Sequence, residues 1–101
     1  MSEGNIYLMK YLHENLHRIG GWPYGCVAIS VSARGHIWGN SKIPTRFSKF
    51  MGVWTDDSFW GGTTNGFSSP LFYSDIKGSE NILPIIKDEF DGFIQSNIKA
   101  P

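Results

Sequence analysis

An α+β fold is predicted by three observations: an amphipathic segment at each end of the chain, alternating apolar residues between them, and a glycine- and aromatic-rich middle without helical periodicity. Together they predict an antiparallel sheet of five or six strands, flanked by an N-terminal and a C-terminal helix, in a single globular domain over residues 1–101. Two amphipathic helices need an apolar surface to cover, and one face of a meandering sheet supplies it.

The first helix is expected to start at Asn5 as cap and to run to about Ile19, where Gly20-Gly21 stops it. Ile6, Met9, Leu12, Leu16 and Ile19 recur at helical spacing and define its buried stripe. After Pro23, CVAISVS alternates, with Val27, Ile29 and Val31 on one side and Ala28, Ser30 and Ser32 on the other. Ala33-Arg34-Gly35 reads as a turn and HIWG as the returning strand.

From Phe47 to Tyr73 the chain is aromatic. FMGVW and SFW read as two strands joined at Thr55-Asp56-Asp57, and GGTTNG as a turn-rich connection in which Asn65-Gly66 suits left-handed backbone. PLFYSD is a further strand. NILPII is apolar and extended, and Pro84 argues for an edge position. Asp88 is placed to cap a last helix to about Ile98, with Asp91 as an imperfect capping box and Phe90, Phe93, Ile94 and Ile98 as its stripe. Gly92 weakens that helix by roughly 1 kcal/mol relative to alanine.

Hydrophobic residues at 41% and charged residues at 18% argue for a folded domain over a disordered tail. No apolar run reaches the length of a membrane span, and MSEGNIYLMKYL lacks the basic opening of a signal peptide. A lone cysteine, Cys26, cannot form an internal disulfide, so a reducing cytoplasm is the expected compartment. Net charge is zero but divided. Residues 15–55 carry Arg18, Arg34, Lys42, Arg46 and Lys49 with no acid, whereas residues 56–101 carry an excess of acids.

One motif stands out. His13-Glu14-Asn15-Leu16-His17 resembles the H-E-x-x-H helix of zincins, in which two histidines one turn apart hold zinc and the glutamate serves as base. By that resemblance His13 and His17 are the metal ligands and Glu14 the catalytic group of a minimal zinc-dependent metallopeptidase. Gly20 also stands where the longer metzincin pattern has glycine, but the next ligand position is Pro23, which cannot bind metal. A third ligand would have to be a downstream carboxylate such as Glu80, Asp88 or Glu89. The alternative is polar residues flanking the Leu12/Leu16 stripe, and this is the preferred reading, with no cofactor.

Cys26 and His36 lie on neighbouring strands of the predicted hairpin, as a thiol and base pair would, although a cysteine in an apolar strand is more simply a small core residue. Asp56-Asp57 is ordinary turn chemistry, and GGTTNG lacks the lysine of a phosphate loop. The stretch WTDDSFWGGTTNGF combines rigid aromatic area with adaptable hydrogen-bonding groups, as protein-binding and sugar-binding loops do. Trp54, Asp56, Asp57, Phe59, Trp60 and Asn65 are therefore the expected partner-binding residues, with a core role for Trp54 and Trp60 as the competing reading. Arg34, Lys42, Arg46 and Lys49 form a second candidate surface, for nucleic acid.

The C-terminal third, from Pro70 to Ile98, resembles the end of SUKH-type bacterial immunity domains, with Phe90 and Phe93 carrying the likeness over about thirty residues. The resemblance implies a toxin-neutralising role. The expectation from the sequence is thus a small non-enzymatic binding protein, an inhibitor or immunity-type factor acting by steric occlusion. Its acidic half suits a basic toxin or nuclease as partner. Metallopeptidase and nucleic-acid binding are the alternatives.

Overall fold

The computed structural model describes residues 2–55 and 68–98. An N-terminal helix, α1 (Glu3–Asn15), continues as a 3₁₀ segment, Leu16–Ile19. Among the described residues six strands follow: β1 (Ala28–Val31), β2 (His36–Asn40), β3 (Arg46–Ser48), β4 (Val53–Thr55), β5 (Ser68–Tyr73) and β6 (Ile85–Ile86). The C-terminal helix α2 (Lys87–Ile98) ends the described chain.

The α+β class, both flanking helices and the antiparallel pairing agree with expectation. The single sheet of five or six strands does not. The strands form a four-stranded sheet in the order β5-β2-β1-β6 and a separate two-stranded ribbon, β3-β4. Within the ribbon the turn is set by Gly52. With φ at +72° it closes a four-residue turn between Ser48 and Val53, so Phe50 and Met51 occupy the turn and not the predicted FMGVW strand. The expected SFW strand lies outside the described residues. NILPII is also shorter as a strand than expected: only Ile85 and Ile86 pair, at the edge beside β1.

Register explains how the sheet's first face becomes the core. Ile29 and Val31 stand opposite Gly39 and Ile37 on β2, Ile29 opposite Ile85 on β6, and Ile37 opposite Phe72 on β5. A bulge lets β5 fit one extra residue against β2 beside Ile37 and Trp38, so Leu71 as well as Phe72 packs on the core. Leu8, Met9, Leu12 and Leu16 from the first helix and Phe90 from α2 close this layer. Burying five or six such side chains stabilises the domain by on the order of 10 kcal/mol before the entropy of ordering them is subtracted. Phe93 and Ile94 pack on its margin, and the side chain of Ile98 lies outside the described residues.

The helix ends differ from the sequence reading. Ser2, not Asn5, caps α1: its Oγ accepts from the Asn5 amide at 3.1 Å. Asn5 is drawn inward, where its Nδ2 donates to the Leu83 carbonyl and its Oδ1 accepts from the Leu83 amide, both at 2.9 Å. At the other end, Asn15 Nδ2 donates to the Tyr11 carbonyl, which accompanies the change to 3₁₀ geometry before Gly20 takes the left-handed position. α2 begins directly after β6, which places Asp88 inside its first turn. The cap interaction is made by Glu89, whose Oε1 accepts from the Ile86 amide at 3.1 Å.

The second face of the sheet carries Ala28, Ser30, Trp38 and Asn40. Ala28, Ser30 and Asn40 are buried, with Ser30 Oγ donating to Asn40 Oδ1 at 3.0 Å. Strand β4 approaches β1, and since the helices occupy the first face, the ribbon lies toward this second one.

Candidate interaction surface

Three turns meet at one end of the sheet, and Ser32 joins them. Its hydroxyl oxygen accepts from the Arg34 and His36 amides at 3.2 and 3.1 Å, and its carbonyl accepts from the Gly35 and Gly78 amides at 3.0 and 2.9 Å. The next residue, Ala33, donates its amide to the Gly52 carbonyl at 2.8 Å. The β1–β2 turn, the β3–β4 turn and the β5–β6 connection are therefore bound together through backbone. Lys49 and Glu80 add an exposed ion pair at 3.3 Å, which contributes little energy but links the same elements.

The β3–β4 turn is braced internally as well. The Gly52 amide donates to the Ser48 carbonyl at 2.6 Å and the Met51 amide to Ser48 Oγ at 3.1 Å. Phe47 and Trp54 stack edge-on at 5.8 Å along the ribbon, and the Thr45 amide closes its open end on the Thr55 carbonyl. On this held turn Phe50 is 97% exposed and Met51 68% exposed. Two consecutive large apolar side chains at the apex of a braced turn are a preorganised contact feature, since ordering costs are met before a partner arrives. Sequence reasoning missed them by reading FMGVW as strand. The available signal was Ser48 four residues before Gly52, a pairing that favours a turn.

Of the expected partner-binding residues, Asp56, Asp57, Phe59, Trp60 and Asn65 lie outside the described residues. Trp54 is partly buried on β4 and packs on Phe47; its indole N–H is buried with no acceptor among the described residues, as is that of Trp38. The candidate nucleic-acid residues Arg34, Lys42, Arg46 and Lys49 are all exposed. Arg34 and Lys49 come from turns joined by the Ala33–Gly52 bond, whereas Lys42 precedes the ribbon and Arg46 opens it.

His13, Glu14 and His17 are exposed. His13 sits in the last turn of α1 and His17 in the 3₁₀ segment, so the two do not share one continuous α-helical face. Arg18, where zincin helices keep an uncharged residue, lies 5.3 Å over the Phe72 ring. Of the carboxylates considered as a third ligand, Glu80 is paired with Lys49 and Glu89 with the Ile86 amide. Among the described residues no group of three or more His, Cys, Asp or Glu side chains is placed to hold a metal ion.

The Cys26–His36 pairing is corrected by the register. Cys26 precedes the Ala28–Asn40 pair, while His36 follows the Val31–Ile37 pair, so they occupy opposite ends of the hairpin. Burial pushes the Cys26 thiol above its ordinary value of 9.0, with contacts to the Asn40 and Ala28 backbones acting in the opposite sense. Its Sγ donates to the Ala28 carbonyl at 3.1 Å. A thiol held protonated in this way is a packing group and not an activated nucleophile.

A groove of about 310 Å³ lies between the start of α1 and the approach to β6, lined by Ser2, Asn5, Met9, Leu83, Pro84 and Glu89 among others. Of its polar side chains, Ser2 and Asn5 bond one another, Asn5 also holds the Leu83 backbone and Glu89 the Ile86 amide. No described helix is long and apolar enough to cross a membrane. No protein-family model matches the chain, and neither a curated protein nor a solved structure matches it.

Proposed function

We propose that this protein is a non-enzymatic binding factor, of inhibitor or immunity type, that neutralises a protein partner by steric occlusion through the β3–β4 ribbon and the segment after it. The observation that carries the reading is the pair Phe50 and Met51, both exposed on a turn tied to two neighbouring turns. The expected aromatic–acidic residues Asp56, Asp57, Phe59, Trp60 and Asn65 follow β4 directly in the chain and belong to the same proposal. Large apolar side chains that a partner desolvates fully supply much of the binding energy in protein interfaces; Phe50 loses little rotamer freedom on docking, and Met51 adapts its shape to the surface it meets.

Nucleic-acid recognition is the second reading, supported by the backbone bond that joins the Arg34 turn to the turn carrying Lys49 and Phe50. One experiment separates the two. A photoreactive phenylalanine analogue is placed at position 50 and, separately, at the exposed position 13 on α1, and adducts are collected from cells that express the protein naturally. A protein adduct formed only from position 50, competed by the wild type but not by Phe50→Ser/Met51→Ser, supports the proposal. Adducts removed by nuclease favour the second reading, and the same adducts from both positions sink the first.

A further inference from the structure

Resting on the reading of Phe50 and Met51 as a protein-binding knob, we infer that Met51 is an oxidation switch: a hydroperoxide converts its thioether to the sulfoxide, and the oxidised knob releases the partner while the fold stands.

The chain carries three methionines, of which Met1 lies outside the described residues. The other two have opposite surroundings. Met9 is 1% exposed within the core cluster, so a peroxide reaches its sulfur only when the domain opens. Met51 is 68% exposed at the apex of the β3–β4 turn and stands outside that cluster. The bonds that brace the turn do not use its side chain. The Gly52 amide donates to the Ser48 carbonyl, the Met51 amide to Ser48 Oγ, and the Ala33 amide to the Gly52 carbonyl. A change at the Met51 sulfur therefore leaves the turn and the core in place and alters only what the turn presents.

The step balances with the peroxide as sole co-reactant. A sulfur lone pair attacks the terminal peroxide oxygen, and the O–O bond breaks as the S–O bond forms. The departing hydroxide or alkoxide takes the proton of the new S–OH group, giving sulfoxide and water or an alcohol. Sulfur loses two electrons and the peroxide gains them. The product is a polar, chiral side chain with a strong acceptor oxygen in place of a flexible apolar one. An apolar surface that desolvates a thioether offers that oxygen no donor, so the contact that favoured docking now opposes it. Sulfoxide reductases, one for each epimer, return the thioether and make the switch reversible.

Hydrogen peroxide at about pH 5 is the probe, because a thioether has no proton to lose, whereas Cys26, whose thiol burial holds above its ordinary value, has almost no reactive thiolate there. The full chain is treated, its oxidised sites are mapped by peptide mass, and treated and untreated proteins are returned to neutral pH. Both are then added as competitors to the chain that carries the photoreactive analogue at position 50. Met51 is expected to oxidise at least about tenfold faster than Met9, with Tm moved by no more than about 3 °C. At least about tenfold more treated than untreated protein should be needed to suppress the position-50 adduct. The two reductases should restore competition, and Met51→Leu should compete equally before and after peroxide. Oxidation of Met51 no faster than that of Met9 removes the accessible thioether and overturns the switch. Equal competition by treated and untreated wild type also overturns it, while leaving the knob intact. Loss of competition by treated Met51→Leu places the effect at another sulfur and overturns the assignment to Met51. Absence of any position-50 adduct overturns the function proposed above, and the switch falls with it.

Discussion

The Gly78 amide donates to the Ser32 carbonyl at 2.9 Å, and the approach is so close that a β-carbon on Gly78 would collide with the carbonyl oxygens of Val31 and Ser32. The β5–β6 connection is thus held against the end of β1 by backbone alone, and only glycine permits it. Since Ser32 also receives the Arg34 and His36 amides, displacing Gly78 loosens the base on which the Phe50 turn stands.

Gly78→Ala is therefore expected to destabilise the domain by about 2 kcal/mol or more, lowering Tm by roughly 10 °C, because the colliding atoms are main chain and cannot rotate away. Gly92→Ala is the internal control. Gly92 is exposed within α2 and an added β-carbon there meets nothing, so alanine should raise stability by up to about 1 kcal/mol. Thermal unfolding of both variants checks the pair, and equal effects would discount the close approach.

Asn5 carries a second prediction. Its side chain satisfies both the amide and the carbonyl of Leu83 across 78 positions of sequence, in the manner of a neighbouring strand. Removing it leaves two main-chain groups without partners in a partly buried place, so Asn5→Ala should cost about 2–3 kcal/mol. Ser2→Ala removes only a helix cap and should cost about 1 kcal/mol. Hydrogen exchange at the Leu83 amide tests the assignment directly: it should accelerate in Asn5→Ala far more than in Ser2→Ala.

These two residues also show what was legible in the sequence. Apolar periodicity identified Met9, Leu12 and Leu16 because one face of the first helix is buried, and strand alternation identified Ile29 and Val31 because the second face of β1, though also buried, carries the small and polar Ala28 and Ser30. Asn5 was misplaced because cap chemistry is local and an asparagine near a helix start satisfies it; its actual partner is far along the chain and leaves no periodic trace. The ribbon escaped for a related reason. Phe50 and Met51 have strand-forming composition, and a single glycine, Gly52, overrides it by fixing the turn. The basic segment was visible as composition, yet its joining of Arg34 to the Lys49 turn depends on the Ala33–Gly52 bond, which no spacing rule encodes.

The HENLH motif yields a prediction about metal. His13 and His17 are exposed on two kinds of helix, and the carboxylates Glu80 and Glu89 are engaged elsewhere. The purified, tag-free chain is expected to hold no stoichiometric zinc, and His13→Ala/His17→Ala to shift stability by less than about 0.5 kcal/mol. Elemental analysis and thermal unfolding decide it. One equivalent of zinc, lost in the double variant, would falsify the non-catalytic reading and bring Glu14 forward as a base.

Cys26 gives the last prediction, with its sign set by burial. Desolvation disfavours the thiolate in the folded chain, so the folded thiol titrates above the unfolded one. At neutral pH both states hold the proton and Cys26 contributes its full share of stability. As pH rises past the unfolded value, near 9, the unfolded state loses its proton first, and stability falls until the folded thiol also ionises. Denaturant unfolding measured from pH 7 upward should show this decline, and Cys26→Ala should remove that part of it. Thiol labelling provides an independent reading: at pH 7.5 the folded protein should react at least about tenfold more slowly than the unfolded chain, since the nucleophile is the thiolate and access is partial. Equal rates in the two states would mean that Cys26 is neither desolvated nor held by the Ala28 carbonyl, and would undo the packing role assigned to it.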